Sequence, residues 1–105
     1  MKILLDACVP RPLRQFLRTH SVFTAQEMGW AKLTNGELLA AAEPFFEAFI
    51  TSDQNLKYQQ NLSTRKFAIM ILPTNDWTII RNHPVQVEEA VSALVAGAFV
   101  ELAWG

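Results

Sequence analysis

Cysteine occurs once in the 105 residues, at Cys8, so no disulfide can close within the chain and a reducing compartment is the expected setting. Histidine occurs twice, and His20, His83 and Cys8 are too scattered to have zinc-site spacing. The four glycines form no phosphate-cradling loop. Charge is scarce: 18% of residues are Asp, Glu, Lys or Arg and the formal net charge is −1, so nucleic acid could be held only by a local patch. No apolar run reaches the ~18 residues of a membrane span. The start, MKILLDAC, meets an acid at Asp6, against a secretory leader. These absences point to a cytoplasmic protein with no membrane partner. By length, the expectation is a single domain over residues 1–105.

Half of the chain is apolar, enough for one core. Ile3 to Leu5 is apolar on consecutive positions, as in a strand buried on both faces of a parallel sheet. Pro10 and Pro12 then bar a continuing strand and suit the first turn of a helix from about Pro10 to Thr19. Leu13, Phe16 and Leu17 form its inner face; Arg11, Arg14 and Arg18 form its outer face. Ser21 to Ala25, Ala48 to Ser52 and Phe67 to Leu72 read as further strands, with Phe99 to Leu102 as a final edge strand. Helices are expected from Thr34 to about Pro44, from Asn55 to Leu62 as a short polar turn, and from Pro84 to Ala96. In the last of these, Val87, Val91, Leu94 and Val95 form the apolar stripe and Gly97 serves as the C′ residue.

This alternation predicts an α/β three-layer sandwich around a mainly parallel sheet of four to five strands, with order 2-1-3-4 and the fifth strand at the edge. The strand order reverses between the first and third strands, and ligands of such sheets bind outside the carboxyl ends of the strands at that point. Asp6 ends the first strand and Asp53 the third, so the topology sets these two carboxylates facing each other. Each also has a local role open to it: Asp6 can bond loop amides, and Ser52 or Asp53 can cap the helix that follows. Thr34-x-x-Glu37 is a capping box, a sufficient structural reason for that glutamate, and a place for Glu37 at the crevice stays open beside it.

Carboxylates held close together repel unless a cation neutralises them. Mg2+ or Mn2+ does so through oxygen ligands, and a bound metal can activate water and stabilise charge on a phosphate. Arg11, Arg14 and Arg18, together with Lys57, Arg65 and Lys66, follow the two acidic strand ends and could hold phosphates, or simply form solvated faces. Tyr58 and Trp30 could stack on bases, though core or interface roles are open to both. Cys8 has no base beside it in sequence and reads as a packed thiol near the crevice. His83, before Pro84, reads as a loop or cap residue. Trp77 and Trp104, with Phe45, Phe46 and Phe99, suggest an adhesive surface and a homodimer.

The opening KILLDACVPRPLRQFL, the segments VFTAQEMGW and TNGELLAAA, and the later TSDQNL resemble the small PIN-like proteins of the DUF5615 type. Those proteins are related to the toxin ribonucleases of VapC-like toxin–antitoxin pairs, and the resemblance covers nearly the whole chain. It implies a metal-dependent nuclease fold whose clustered acids bind Mg2+ or Mn2+ and cleave RNA. Asp6 and Asp53 match the family's acids, with Glu37 close to a third. Ala7 stands where a glutamate is common, Asn35 where an aspartate is, and Asn55 and Leu56 where the second acid and the aromatic of T-x-D-x-D-F fall. The expectation is therefore an endoribonuclease with Asp6, Asp53 and Glu37 on the metal and Asn55 orienting. Arg11, Arg14, Lys57 and Arg65 would lie on RNA, and an antitoxin protein would be a partner. The alternative is a degenerate PIN-like domain that binds RNA or protein without cutting.

Overall fold

The apolar runs form strands, and the proline- and cap-marked stretches form helices. The computed structural model describes residues 1–56 and 67–104. The strands are β1 (Lys2–Leu5), β2 (Ser21–Thr24), β3 (Ala48–Thr51), β4 (Ala68–Ile71) and β5 (Phe99–Glu101). They form one five-stranded sheet of order β2-β1-β3-β4-β5, and every pairing is parallel. β1, β3 and β4 are interior strands, and Ile3 to Leu5, Ala48 to Thr51 and Ala68 to Ile71 are buried throughout, as consecutive apolar residues require. The α/β class and strand order agree with the sequence reading.

Alternation along the strands makes two cores. Ile3, Leu5, Ile50 and Met70 face one side, where Leu13, Leu17, Ile80, Val87 and Val91 cover them. Leu4, Phe49, Ile69 and Ile71 face the other, under Leu38, Leu39, Ala42, Phe46 and Leu56. The first covering element is a 3-10 helix, Arg11–Phe16, where a longer α-helix was expected. Its bonds are of the i→i+3 kind: Leu13 N–H donates to Pro10 O and Leu17 N–H to Arg14 O, both at 3.1 Å. Pro12, within the first turn, has no N–H to give.

Helix α1 (Asn35–Ala42) opens on the expected capping box. Thr34 Oγ1 accepts from Glu37 N at 3.3 Å, and Glu37 Oε1 accepts from Thr34 N at 3.1 Å. Helix α2 (Trp77–Ile80) was not foreseen; its N-cap Asp76 accepts from Thr78 N at 2.9 Å. Helix α3 (Pro84–Ser92) stops earlier than its apolar stripe suggested. Leu94 N–H turns back to Val91 O at 3.1 Å and Ala98 N–H to Val95 O at 3.0 Å, leaving Val95 68% exposed. Gly97, at φ +80°, serves the turn into β5 rather than the helix end. The expected polar turn from Asn55 to Leu62 lies almost wholly outside the described residues.

The connections differ in hand. The β1→β2 step and the β2→β3 step run in opposite directions across the sheet, with the 3-10 helix and α1 on opposite faces, so they share one hand. The β4→β5 step runs in the same direction as β2→β3, yet its helices α2 and α3 lie on the face of the 3-10 helix. It therefore has the opposite hand to those two. α2 and α3 thereby add to the cover that the 3-10 helix gives Ile50 and Met70, and Trp77 stacks on Phe16 with ring centroids 5.3 Å apart.

Candidate functional site

The order reversal places the ends of β1 and β3 side by side: Ile50 lies opposite Leu5, and Asp6 N–H donates to Ile50 O at 2.9 Å. Asp6 and Asp53 leave the sheet at this edge, and both are half-buried. Each divides its two carboxylate oxygens in the same way. Asp6 Oδ1 accepts from Ala7 N at 2.7 Å, and Oδ2 accepts from Thr51 Oγ1 at 2.7 Å. Asp53 Oδ1 accepts from Asn55 N at 2.9 Å, and Oδ2 accepts from Asn35 Nδ2 at 2.6 Å. One oxygen shapes the acid's own loop, and the other ties it to a neighbouring element.

Thr51 joins the two halves. Its fully buried hydroxyl donates to Asp6 and accepts from Asp53 N at 3.1 Å. A chain of bonds thus runs from Asn35 on α1 through Asp53 and Thr51 to Asp6. Cys8 extends it: Sγ lies 3.5 Å from Asp6 Oδ2 and accepts from Ser52 Oγ at 3.1 Å. The thiol is exposed rather than packed. Gln26 Nε2 donates to Ala7 O at 3.1 Å and steadies the loop after Asp6. The sequence reading did not include Thr51; its one local mark is a threonine two residues before the acid at the end of a buried strand.

Glu37 is held by its capping box. Its Oε1 also accepts from Thr34 Oγ1 at 2.8 Å, and the bonds from Thr34, backbone before hydroxyl, hold its carboxyl below the usual glutamate range. Asn35, in the same turn, is the residue that reaches Asp53. Asn55 meets Asp53 through its backbone, with its side chain exposed. Arg14 is ion-paired with Glu27, whose carboxyl is lowered first by that bond and then by Thr24 N–H. Arg11 is exposed at the end of the 3-10 helix that follows the Asp6 loop. Lys57, Tyr58, Arg65 and Lys66 lie outside the described residues. Trp30 packs edge-on to Phe46 at 6.2 Å, a structural role. His83 holds the N-cap position of α3, stacked on Trp104 at 4.3 Å.

Two concavities lie elsewhere. One of about 260 Å3 opens at the amino ends of the strands, among Phe46, Phe67, Leu94 and Val95 with Glu43 and Glu47. Another, of about 410 Å3, runs along Arg11, Pro12, Arg14, Gln15 and Arg18.

Among the described residues, no three His, Cys, Asp or Glu side chains group as metal ligands. The donors present are nonetheless hard. Two carboxylates stand at one edge: Asp6 Oδ2 accepts from both Thr51 Oγ1 and Cys8 Sγ, while Asp6 Oδ1 and the two Asp53 oxygens each accept from the one donor named above. Mg2+ is commonly held by one or two carboxylates with several waters, so the donor set suits such an ion. No protein-family model, curated protein or solved structure matches the chain. None of the helices described is long and apolar enough to cross a membrane.

Proposed function

We propose that the protein is a metal-dependent endoribonuclease of PIN type that hydrolyses RNA phosphodiesters at the Asp6–Asp53 edge. The observation that carries this reading is the Thr51 hydroxyl, which links two carboxylate-bearing loops at the switch point of a parallel sheet. Asp6 and Asp53 would hold Mg2+ or Mn2+, with Glu37 contributing through water from its outer oxygen. When bound, such an ion lowers the pKa of water and offsets negative charge on a phosphate. Thr51 keeps the Asp6 carboxylate turned to the edge, Asn35 does the same for Asp53, and Asn55 orients the loop beside it. Arg11 would hold a phosphate of the RNA; Arg14, already paired with Glu27, contributes by anchoring its helix. Lys57 and Arg65 would add contacts from beyond Asp53. A toxin of this type would be encoded beside an antitoxin.

The test is cleavage of single-stranded RNA with added manganese. Cleavage should be lost in Asp6→Asn and Asp53→Asn variants that melt like the parent. Cleavage that survives both changes would overturn the reading.

A second reading is a module that binds RNA or protein without cutting. It is favoured by the neutral side chains at Ala7, Asn35 and Asn55 and by the occupation of all four carboxylate oxygens by protein donors. Titration with millimolar manganese separates the two: a folded protein that takes up no metal belongs to the second.

A further inference from the structure

The 3-10 helix carries a concavity that the Asp6–Asp53 edge does not use. It measures about 410 Å3 and is lined by Arg11, Pro12, Arg14, Gln15 and Arg18, with no acid among them. Its two ends lie at opposite edges of the sheet. At one end, Val9 N–H donates to Asp6 O at 3.0 Å and Leu13 N–H to Pro10 O at 3.1 Å, so a single turn separates Asp6 from Arg11. At the other, His20 N–H donates to Leu17 O and Ser21 N–H to Met1 O, both at 2.9 Å, so Arg18 stands just before β2 at the amino edge. Arg11 and Arg18 are exposed, and among the described residues neither is ion-paired. Arg14 is held between them by Glu27. Helix α3 packs against the 3-10 helix and exposes Glu88 and Glu89, but neither lines the groove.

We propose that this groove carries the phosphate backbone of a single-stranded RNA as it leaves the crevice, with Arg11 on a phosphate beside the cleaved bond and Arg18 on one further along the strand. The inference rests on the ribonuclease reading for the identity of the strand, and adds a direction and a minimum length to it. The substrate must extend past the crevice along the 3-10 helix. At the ~2 Å per residue of such a helix, the path from Arg11 to Arg18 is on the order of 10 Å, beyond the reach of one phosphate group. Each guanidinium can take two phosphate oxygens, and Pro12 and the arginine stems wall the path with apolar surface. Gln15 adds an amide that can donate to and accept from a ribose or a base. A strand with a charge on every nucleotide matches a line of cations. Glu88 and Glu89, on the neighbouring helix, repel phosphates and confine the strand to the arginine side.

The test is fluorescence anisotropy of a labelled single-stranded RNA oligonucleotide with the full chain, in chelator so that no cleavage intervenes. The parent should bind, and its affinity should fall as salt is raised. Arg18→Gln should weaken binding at least ~3-fold without moving the melting curve. It should also lower the slope of log affinity against log salt by ~0.7, the share of one phosphate on a single strand. Arg18→Lys keeps the charge and should keep the slope. With Arg11→Gln added to Arg18→Gln, the slope should fall by ~0.7 again. A parent that binds no RNA, or an Arg18→Gln protein with the parent's affinity and slope, would overturn the proposal. So would an Arg18→Lys slope as low as that of Arg18→Gln, or a peptide of glutamates that binds as tightly as the RNA. The nuclease reading fails separately. RNA that is bound through Arg18 yet left whole in manganese would end that reading and keep the groove; cleavage with an unchanged Arg18→Gln titration would do the reverse.

Discussion

At the carboxyl ends of β1 and β3 stand Asp6, Thr51 and Asp53, joined by hydrogen bonds of 2.7 and 3.1 Å through one hydroxyl. At the amino ends of the same strands stand Lys2, Phe46 and Glu47. Lys2 Nζ there lies 5.1 Å from the Phe46 ring centroid and 5.4 Å from that of Phe23. Both ends are made by the same parallel strands, so the difference lies in side chains alone. The polar end orients groups by directional bonds, and losing one shifts chemistry more than stability. At the other end the buried Phe46 ring stabilises through contact area, and losing it weakens the whole fold.

This contrast can be broken or sharpened by substitution. The largest effect should come from Asp6→Asn or Asp53→Asn: RNA cleavage down on the order of 100-fold or more, with the urea midpoint little changed. Equal loss of stability and activity would erase the contrast. Phe46→Ala, at the other end, should cost about 3–5 kcal/mol by chemical denaturation while leaving cleavage per folded molecule intact. Thr51→Val keeps the shape but removes the hydroxyl that serves both loops; it should cost about 1–3 kcal/mol and lower activity, with Thr51→Ser restoring most of both. Thr34→Ala removes the α1 cap and should cost ~1 kcal/mol.

The smallest effect is that of acid. Glu27, Glu37 and Asp76 are all lowered in the folded state: Glu27 chiefly by Arg14, Glu37 by the Thr34 backbone and Asp76 by the Thr78 hydroxyl. A depressed carboxylate adds stability above its unfolded pKa and loses it as pH falls through its folded one. The denaturation midpoint should therefore decline as pH falls below the ordinary carboxylate range, ~4. These groups are exposed, so the decline should be slight and reduced further by salt.

Much of this contrast was legible in the sequence. Runs such as Ile3–Leu5 and Ala48–Ile50 are apolar on consecutive positions, as in a sheet covered on both faces, and the neighbouring placement of Asp6 and Asp53 after them followed from strand order. Thr34-x-x-Glu37 announced α1 because capping is local chemistry. What depended on tertiary placement was not legible. The face on which α2 and α3 pack, against the 3-10 helix, is recorded in no local pattern. Helix α2 spans four residues, too few to show a period. Arg14 looked free until Glu27 was set beside it, and Thr51 looked like strand filler until Asp6 and Asp53 converged on its hydroxyl.

The central claim is that the Asp6–Asp53 edge takes up a hard divalent cation. Calorimetric titration of the folded protein with manganese addresses it most directly. Saturable binding is expected in the parent and should disappear in both Asp6→Asn and Asp53→Asn. No uptake by the parent at millimolar manganese, or uptake unchanged in the two variants, would contradict it.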